Sequence, residues 1–106
     1  MEGRKEKKEE QIKEIAARFI ERESNKTALI TVTRVVLDDK ARNGVIYFSV
    51  LPESGEDSAL NFLKRKRKEL REAVTKGLPV HPIPFLDVAI DAGEKARLKI
   101  ETLLKE

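Results

Sequence analysis

One stretch of the chain decides how it folds: SALNFLKRKRKELREAVTKGLP, at residues 58–79. Apolar residues at helical spacing flank five consecutive cations, Lys64 to Lys68. The stretch holds seven basic and two acidic residues, a local charge of +5, whereas the whole chain carries only +3. Positive charge concentrated in this way on a small domain favours a polyanion such as nucleic acid as the partner.

The five cations cannot all face water on a straight helix. Successive residues are about 100° apart, so five of them sweep more than one turn. The apolar stripe that contains Leu63 and Leu70 would continue through Lys66 or Arg67, where a buried residue is expected. Either the helix bends there, or one long side chain lies along the edge of the core with its charge in water. We favour a bend near residues 64–67, because a second helix starting there presents backbone N–H groups that suit a phosphate.

Helices and strands are predicted on both sides of this stretch. A first helix at residues 5–23 carries an apolar stripe that runs from Ile12 to Ile20, and we expect Asn25 to end it in the left-handed conformation. Residues 28–37 and 45–51 are predicted strands that pair antiparallel, joined by a turn around Asn43-Gly44. In the second strand the alternation places Ile46, Phe48 and Val50 on one face.

The central helix is predicted at residues 58–76, with Asp57 or Ser58 as its cap and Gly77 as its stop. A proline-containing connector leads to a third strand at residues 85–91, where Leu86, Val88 and Ile90 share one face. A last helix starts at Asp91 and offers four apolar residues for packing: Leu98, Ile100, Leu103 and Leu104. The predicted order is therefore α-β-β-α-(kink)-α-β-α.

Composition excludes several classes of function. The chain has 106 residues, no cysteine and one histidine, so it forms neither a disulfide framework nor a thiolate or multi-histidine metal site. It has no apolar run long enough for a membrane span and no secretory signal. We expect one domain over residues 1–106, cytoplasmic and monomeric, in which residues 1–9 are a charged extension that frays.

The order of elements is that of an α+β fold, the type II KH domain, in which helices cover a three-stranded mixed sheet. Its residues resemble the ribosome-binding factor A family. The segments that carry the resemblance lie in the first helix, the three strands, the central helix and the last helix. They are QIKEIA (11–16), IERE (20–23), LITVT (29–33), VIYFSVL (45–51), ALN (59–61), ELR (69–71), PIPFL (82–86) and IETLL (100–104).

The resemblance implies a partner, the small ribosomal subunit and its RNA precursor, and a role in maturation of the 5′ region of that RNA. It implies no enzyme activity and no cofactor. In this family the helix-kink-helix that contacts RNA carries an Ala-x-Gly. This chain departs from that pattern, because no glycine lies between Gly55 and Gly77.

The candidate RNA-binding residues are Lys64, Arg65, Lys66, Arg67, Lys68, Arg71 and Lys76, with Lys5, Lys7 and Lys8 as possible auxiliary contacts. Neutralising about five phosphates would make log affinity fall with log salt at a slope of roughly −3.5 to −4.5.

No catalytic or metal-binding group of residues is found, and His81 between prolines is expected to be a surface or turn residue. Arg34 and Tyr47 are expected on the outer side of the strands, where a partner contact and ordinary surface residues explain them equally well.

Two other functions stay open at this point. The chain could be a general single-stranded RNA-binding KH module, which would prefer short oligonucleotides to whole subunits. It could also be a protein-interaction domain whose charge serves solubility, which would show no salt-dependent RNA binding.

Overall fold

The computed structural model describes residues 3–79 and 83–93. Along the chain its elements are α1 (Arg4–Glu23), β1 (Leu29–Leu37), β2 (Asn43–Leu51), a 3₁₀ turn (Glu53–Gly55), α2 (Glu56–Arg65), α3 (Arg67–Gly77) and β3 (Phe85–Ile90). The predicted α+β class and the order α-β-β-α-α-β are confirmed. Residues 4–9, which the sequence suggested as part of a charged extension, form the start of α1. Among the helices described, none is long and apolar enough to span a lipid bilayer.

The three strands form one mixed sheet in the order β1-β2-β3. β1 and β2 are antiparallel, with Leu29 opposite Leu51 and Leu37 opposite Gly44, and a bulge interrupts the register between Val32 and Arg34. β2 and β3 are parallel. A parallel pair needs a long crossover connection, and here α2 and α3 supply it. The basic stretch is therefore held against the sheet by its place in that crossover.

The core lies between the helices and one face of the sheet. The predicted inward residues of β2 are confirmed, since Ile46 and Phe48 are fully buried and Val50 is 4% exposed. The apolar stripe of α1 packs on the sheet as predicted, and Leu63 of α2 and Leu70 of α3 complete the same cluster. Burial of these side chains is the main force that fixes both halves of the crossover to the sheet.

Several predicted turns and caps are wrong in detail. The residue with positive φ after α1 is Lys26 (φ 66°), whereas Asn25 accepts hydrogen bonds from Thr27 through its side-chain oxygen. The β1–β2 turn places Ala41 in the left-handed region (φ 54°), and Asn43 and Gly44 belong to β2. Asx bonding explains both differences, because a side-chain acceptor that holds the turn leaves the positive φ to another residue.

The β1–β2 turn is organised by Asp38. Its carboxylate accepts hydrogen bonds from the Arg42 N–H (2.8 Å) and the Asn43 side-chain amide (3.1 Å). These bonds, the one from Asn43 first, lower the pKa of Asp38. The turn is therefore set by this one carboxylate rather than by a glycine.

The central helices also begin and end at residues other than those predicted. α2 begins at Glu56 after Gly55, without a side-chain cap, so Asp57 and Ser58 lie inside its first turn. α3 includes Gly77, and the helix ends because Leu78 is extended. A Cβ at Gly77 would lie 2.9 Å from Ile15 Cδ1, so this glycine lets α3 approach α1 closely. The last helix predicted from Asp91 lies outside the described residues apart from its first positions, and so does His81.

Gly44 has no room for a side chain, and this gives a test of the packing at the start of β2. A Cβ there would lie 2.5 Å from Leu37 Cδ2 and 3.0 Å from the backbone oxygen of Val36. We expect Gly44→Ala to lower the free energy of unfolding by about 1–3 kcal/mol in urea denaturation, as overpacking does. Gly93→Ala is the control, because its Cβ would make only an ordinary contact of 3.4 Å with Asp91. That variant should stay within about 0.5 kcal/mol of the parent, and equal effects of the two would contradict the packing described here.

Candidate nucleic-acid interface

The central helix breaks at Lys66, as predicted. Its φ and ψ are −95° and 5°, and it separates α2 from α3. The Lys66 N–H still donates to the backbone oxygens of Phe62 (3.1 Å) and Leu63 (3.2 Å), and the Lys66 oxygen accepts from the Leu70 N–H (2.8 Å). Because φ is negative, any residue can occupy this bridge conformation. The break therefore forms in a segment without glycine.

Four of the predicted basic residues lie together beside the start of β3, and we call them the α3–β3 basic surface. They are Lys64, Arg67, Lys68 and Arg71. Arg67 Nη1 lies 3.1 Å from Asp87 Oδ1, and the guanidinium carbon of Arg71 is 5.2 Å from the centre of the Phe85 ring. Contacts to β3 thus hold two of the four side chains in place.

Asp87 is the acidic residue of this surface. Its carboxylate accepts a hydrogen bond from the Val88 N–H (2.8 Å), which is the largest cause lowering its pKa. The positive charges of Arg67 and Lys64 lower the pKa further. Asp87 therefore stays ionised at neutral pH and offsets one of the four positive charges, which leaves the surface at +3.

Lys66 is directed away from this surface. Its Nζ lies 3.0 Å from Glu69 Oε2 and 3.6 Å from Glu23 Oε1, and the hydrogen bond to Glu69 is the main cause that raises its pKa. The side chain of Lys66 is one-third exposed and joins the start of α3 to the end of α1. Of the predicted RNA-binding residues, it is the one whose charge two carboxylates share.

Arg65 and Lys76 are also separate from the α3–β3 basic surface. Arg65 lines a groove of about 290 Å³ between the α1–β1 loop, the turn before α2 and α2 itself, where Ser24, Ser58 and Phe62 are neighbours. Lys76 is exposed in the last turn of α3. Lys5, Lys7 and Lys8, the predicted auxiliary residues, lie in the first turns of α1.

Phe85 also lies beside the α3–β3 basic surface, although its sequence context did not predict this. Its side chain is 69% exposed, and it lies next to Arg67, Lys68 and Arg71. The alternation in β3 contained the signal, because inward Leu86 and Val88 require an outward Phe85.

Arg34 and Tyr47 lie on the outer side of the sheet, as predicted, but their contacts are to each other and to Asp91. The guanidinium carbon of Arg34 is 4.2 Å from the centre of the Tyr47 ring, and its Nε is 3.2 Å from Asp91 Oδ2. The Thr33 hydroxyl donates to the same oxygen at 2.7 Å. Asp91 is 4% exposed, so these contacts join the bulge of β1 to the end of β3.

In the part of the chain that the structure describes, no group of three or more histidine, aspartate or glutamate residues is placed to hold a metal ion.

The sequence matches the family profile described as ribosome-binding factor A over residues 4–104. The chain belongs to the ribosome-binding factor A family. The resemblance found in the sequence is thereby confirmed. No curated protein matches the chain.

Solved structures of ribosome-binding factor A share the fold. The crystal structure of the Thermus thermophilus protein is 25% identical, with a TM-score of 0.71, and the alignment covers 81% of this chain and 94% of that one. The solution structure of a putative ribosome-binding factor A from Thermotoga maritima is 24% identical, with a TM-score of 0.70 and coverage of 85% and 89%. A third similar structure is a homology model of the Thermus thermophilus factor fitted into a cryo-EM map of a 30S complex, at 24% identity, a TM-score of 0.64 and coverage of 76% and 88%.

The pKa of Asp87 gives a direct test of the contacts in the α3–β3 basic surface. We expect an NMR titration to place this pKa below that of an ordinary aspartate, and Arg67→Gln to raise it. The rise should be incomplete, because the larger cause, the Val88 N–H, remains. Since the pKa is lowered on folding, the stability that Asp87 contributes is present above the unfolded-state pKa and is lost as pH falls through the folded-state pKa. Arg65→Gln is the control that should leave the titration unchanged; an Asp87 pKa insensitive to Arg67→Gln would contradict the pairing.

Proposed function

We propose that this protein binds the small ribosomal subunit through the phosphate backbone of its RNA, and that the α3–β3 basic surface makes this contact. The observation that carries the proposal is the group of four cations, Lys64, Arg67, Lys68 and Arg71, which lies beside β3 where α2 is followed by α3. Membership of the ribosome-binding factor A family and the 30S complex of the Thermus thermophilus factor support the choice of partner.

The charge of the surface suits a phosphate backbone. Four cations and one carboxylate leave +3, and the guanidinium groups of Arg67 and Arg71 present planar sets of donors that match phosphate oxygens. α3 starts without a side-chain cap, and the positive end of its dipole favours an anion near this start. Affinity from such contacts should depend strongly on salt, by about 0.7 to 0.9 in slope for each phosphate neutralised.

Phe85 adds a contact of a different kind. An exposed aromatic ring beside cations can stack on an unpaired base while the cations hold the backbone. One ring provides little sequence selectivity, because every base has a face that can stack. Recognition of RNA by this surface therefore depends mainly on shape and charge, and a folded RNA should be a better ligand than a short oligonucleotide.

The proposed role in maturation of the 5′ region of the RNA is non-covalent. The protein binds one conformation of the maturing subunit more tightly than another, and it shifts the RNA only by the difference between the two affinities. We place this activity in the cytoplasm, with the protein acting as a monomer and without a cofactor.

Replacement of all four cations tests the site. We expect Lys64→Gln, Arg67→Gln, Lys68→Gln and Arg71→Gln together to lower the slope of log affinity against log salt by about 3, measured by co-sedimentation with purified small subunits. Binding near 0.15 M salt should fall at least tenfold, because each lost phosphate contact weakens binding. The thermal midpoint should change little, since exposed ion pairs such as Arg67–Asp87 contribute about 1 kcal/mol or less.

The matched control replaces four cations outside this surface: Lys13, Arg18, Arg22 and Lys26. It should bind small subunits like the parent. Undiminished co-sedimentation of the first variant would reject the site, and tighter binding to short oligonucleotides than to subunits would favour a general KH module.

In cells that lack the protein, the parent and the control should restore 5′ processing of the small-subunit RNA, and the variant without the four cations should not. Restoration by all three would reject a role for this surface in maturation.

Phe85 can be tested apart from the charge. We expect Phe85→Ala to weaken binding to small subunits by about 1–3 kcal/mol, the range measured for loss of one stacked base, with the salt slope unchanged. Leu51→Ala is the control, since Leu51 is exposed by 47% on another part of the sheet. Equal affinities of the two variants would show that Phe85 makes no contact with RNA.

A further inference from the structure

A second group of cations surrounds an open groove of about 550 Å³ where the first turns of α1 meet the β1–β2 turn. We call it the N-terminal groove. The cations that line it are Arg4, Lys5, Lys7, Lys8 and Lys40. Asp39 is the acidic residue of the lining, which therefore carries +4. Lys40 comes from a part of the chain more than thirty residues from the others, so folding creates this concentration of charge.

Two carboxylates close to the groove in sequence hold α1 and the β1–β2 turn in place. Glu9 Oε2 accepts a hydrogen bond from the Leu37 N–H at 2.8 Å, which attaches α1 to the end of β1. Asp38 accepts hydrogen bonds from Arg42 and Asn43 inside the turn. Neither carboxylate is among the residues that line the groove. Glu6 and Glu10 are exposed on α1 but do not line the groove.

The N-terminal groove and the α3–β3 basic surface share no residue, but the β1–β2 turn connects them. Phe85, beside the α3–β3 basic surface, donates its N–H to the backbone oxygen of Arg42 at 2.8 Å, and Arg42 lies two residues after Lys40 of the groove. A single folded RNA that passes the β1–β2 turn can therefore contact both groups of cations.

We propose that the N-terminal groove binds a second segment of RNA phosphate backbone, so that the protein bridges two positions of one folded RNA. This inference rests on the proposed function, because it takes the same small-subunit RNA as ligand. The chemistry is direct: five cations with one acid fit a chain of phosphates. Holding the RNA at one site raises its effective concentration at the other, so the two contacts strengthen binding together.

The test replaces the three most exposed positions, Arg4→Gln, Lys7→Gln and Lys40→Gln, which come from both sides of the groove. The probe is protein-free small-subunit RNA, with intact small subunits as a second ligand. We expect the salt slope to fall by about 2 to 3 and the affinity near 0.15 M salt to fall about tenfold or more on both ligands. The control replaces Lys13, Arg18 and Lys26 by Gln, and both of its affinities should match the parent.

Three outcomes are decisive. If the triple variant binds like the control, the proposal that the groove binds RNA is wrong. This holds even if the variant of the α3–β3 basic surface has lost binding and so supports the proposed function. Weaker binding to intact subunits but not to the free RNA also overturns it, because the groove would then contact a ribosomal protein. Loss on both ligands supports it. If the triple variant fails to fold, Lys40→Gln alone should still lower the slope by about 0.7 to 0.9, and an unchanged slope would overturn the proposal.

Discussion

Leu63 and Leu70 must both be buried, although five consecutive cations stand between them. Leu63 is 1% exposed and Leu70 is 2% exposed, and each packs in the single core cluster described. A straight helix through both would bring one of the cations toward the core, where an unpaired charge is very costly. The break at Lys66 removes the conflict, because α2 and α3 then bury their own apolar faces separately. The other features of the basic region follow from this break.

The cations of the basic stretch lie on different sides of α2 and α3. Lys66 lies on the side of α1, where Glu69 and Glu23 share its charge. Lys64, Arg67, Lys68 and Arg71 lie on the side of β3, where Asp87 offsets only one of them. Seven candidate residues are thereby divided among four places in the structure. Each cation is therefore placed by the face of α2 or α3 on which it lies, after both helices have buried their apolar side chains.

α1 runs from the N-terminal groove to the break at Lys66. It is a helix of twenty residues whose last turn contacts Lys66 and whose first turns line the N-terminal groove. The contact of Glu9 with the end of β1 and the close approach of Gly77 to Ile15 fix its position on the sheet and on α3. These contacts hold the first turns of α1, and with them the cations of the N-terminal groove, in a defined place on the sheet.

The sequence by itself determined the secondary structure, the antiparallel pairing of β1 with β2, the inward residues of β2 and the position of the break. Hydrophobic periodicity and the impossibility of burying five cations are local properties, and the chain carries them residue by residue. It did not determine the turns, where Asp38 and the Asn25 side chain moved the left-handed positions to Ala41 and Lys26. Only the tertiary structure decided that Asp87 and Phe85 accompany the cations of α2 and α3, and that Lys40 joins the first turns of α1. Those contacts join segments far apart in sequence, and their geometry depends on how helices pack on the sheet, which no local pattern specifies.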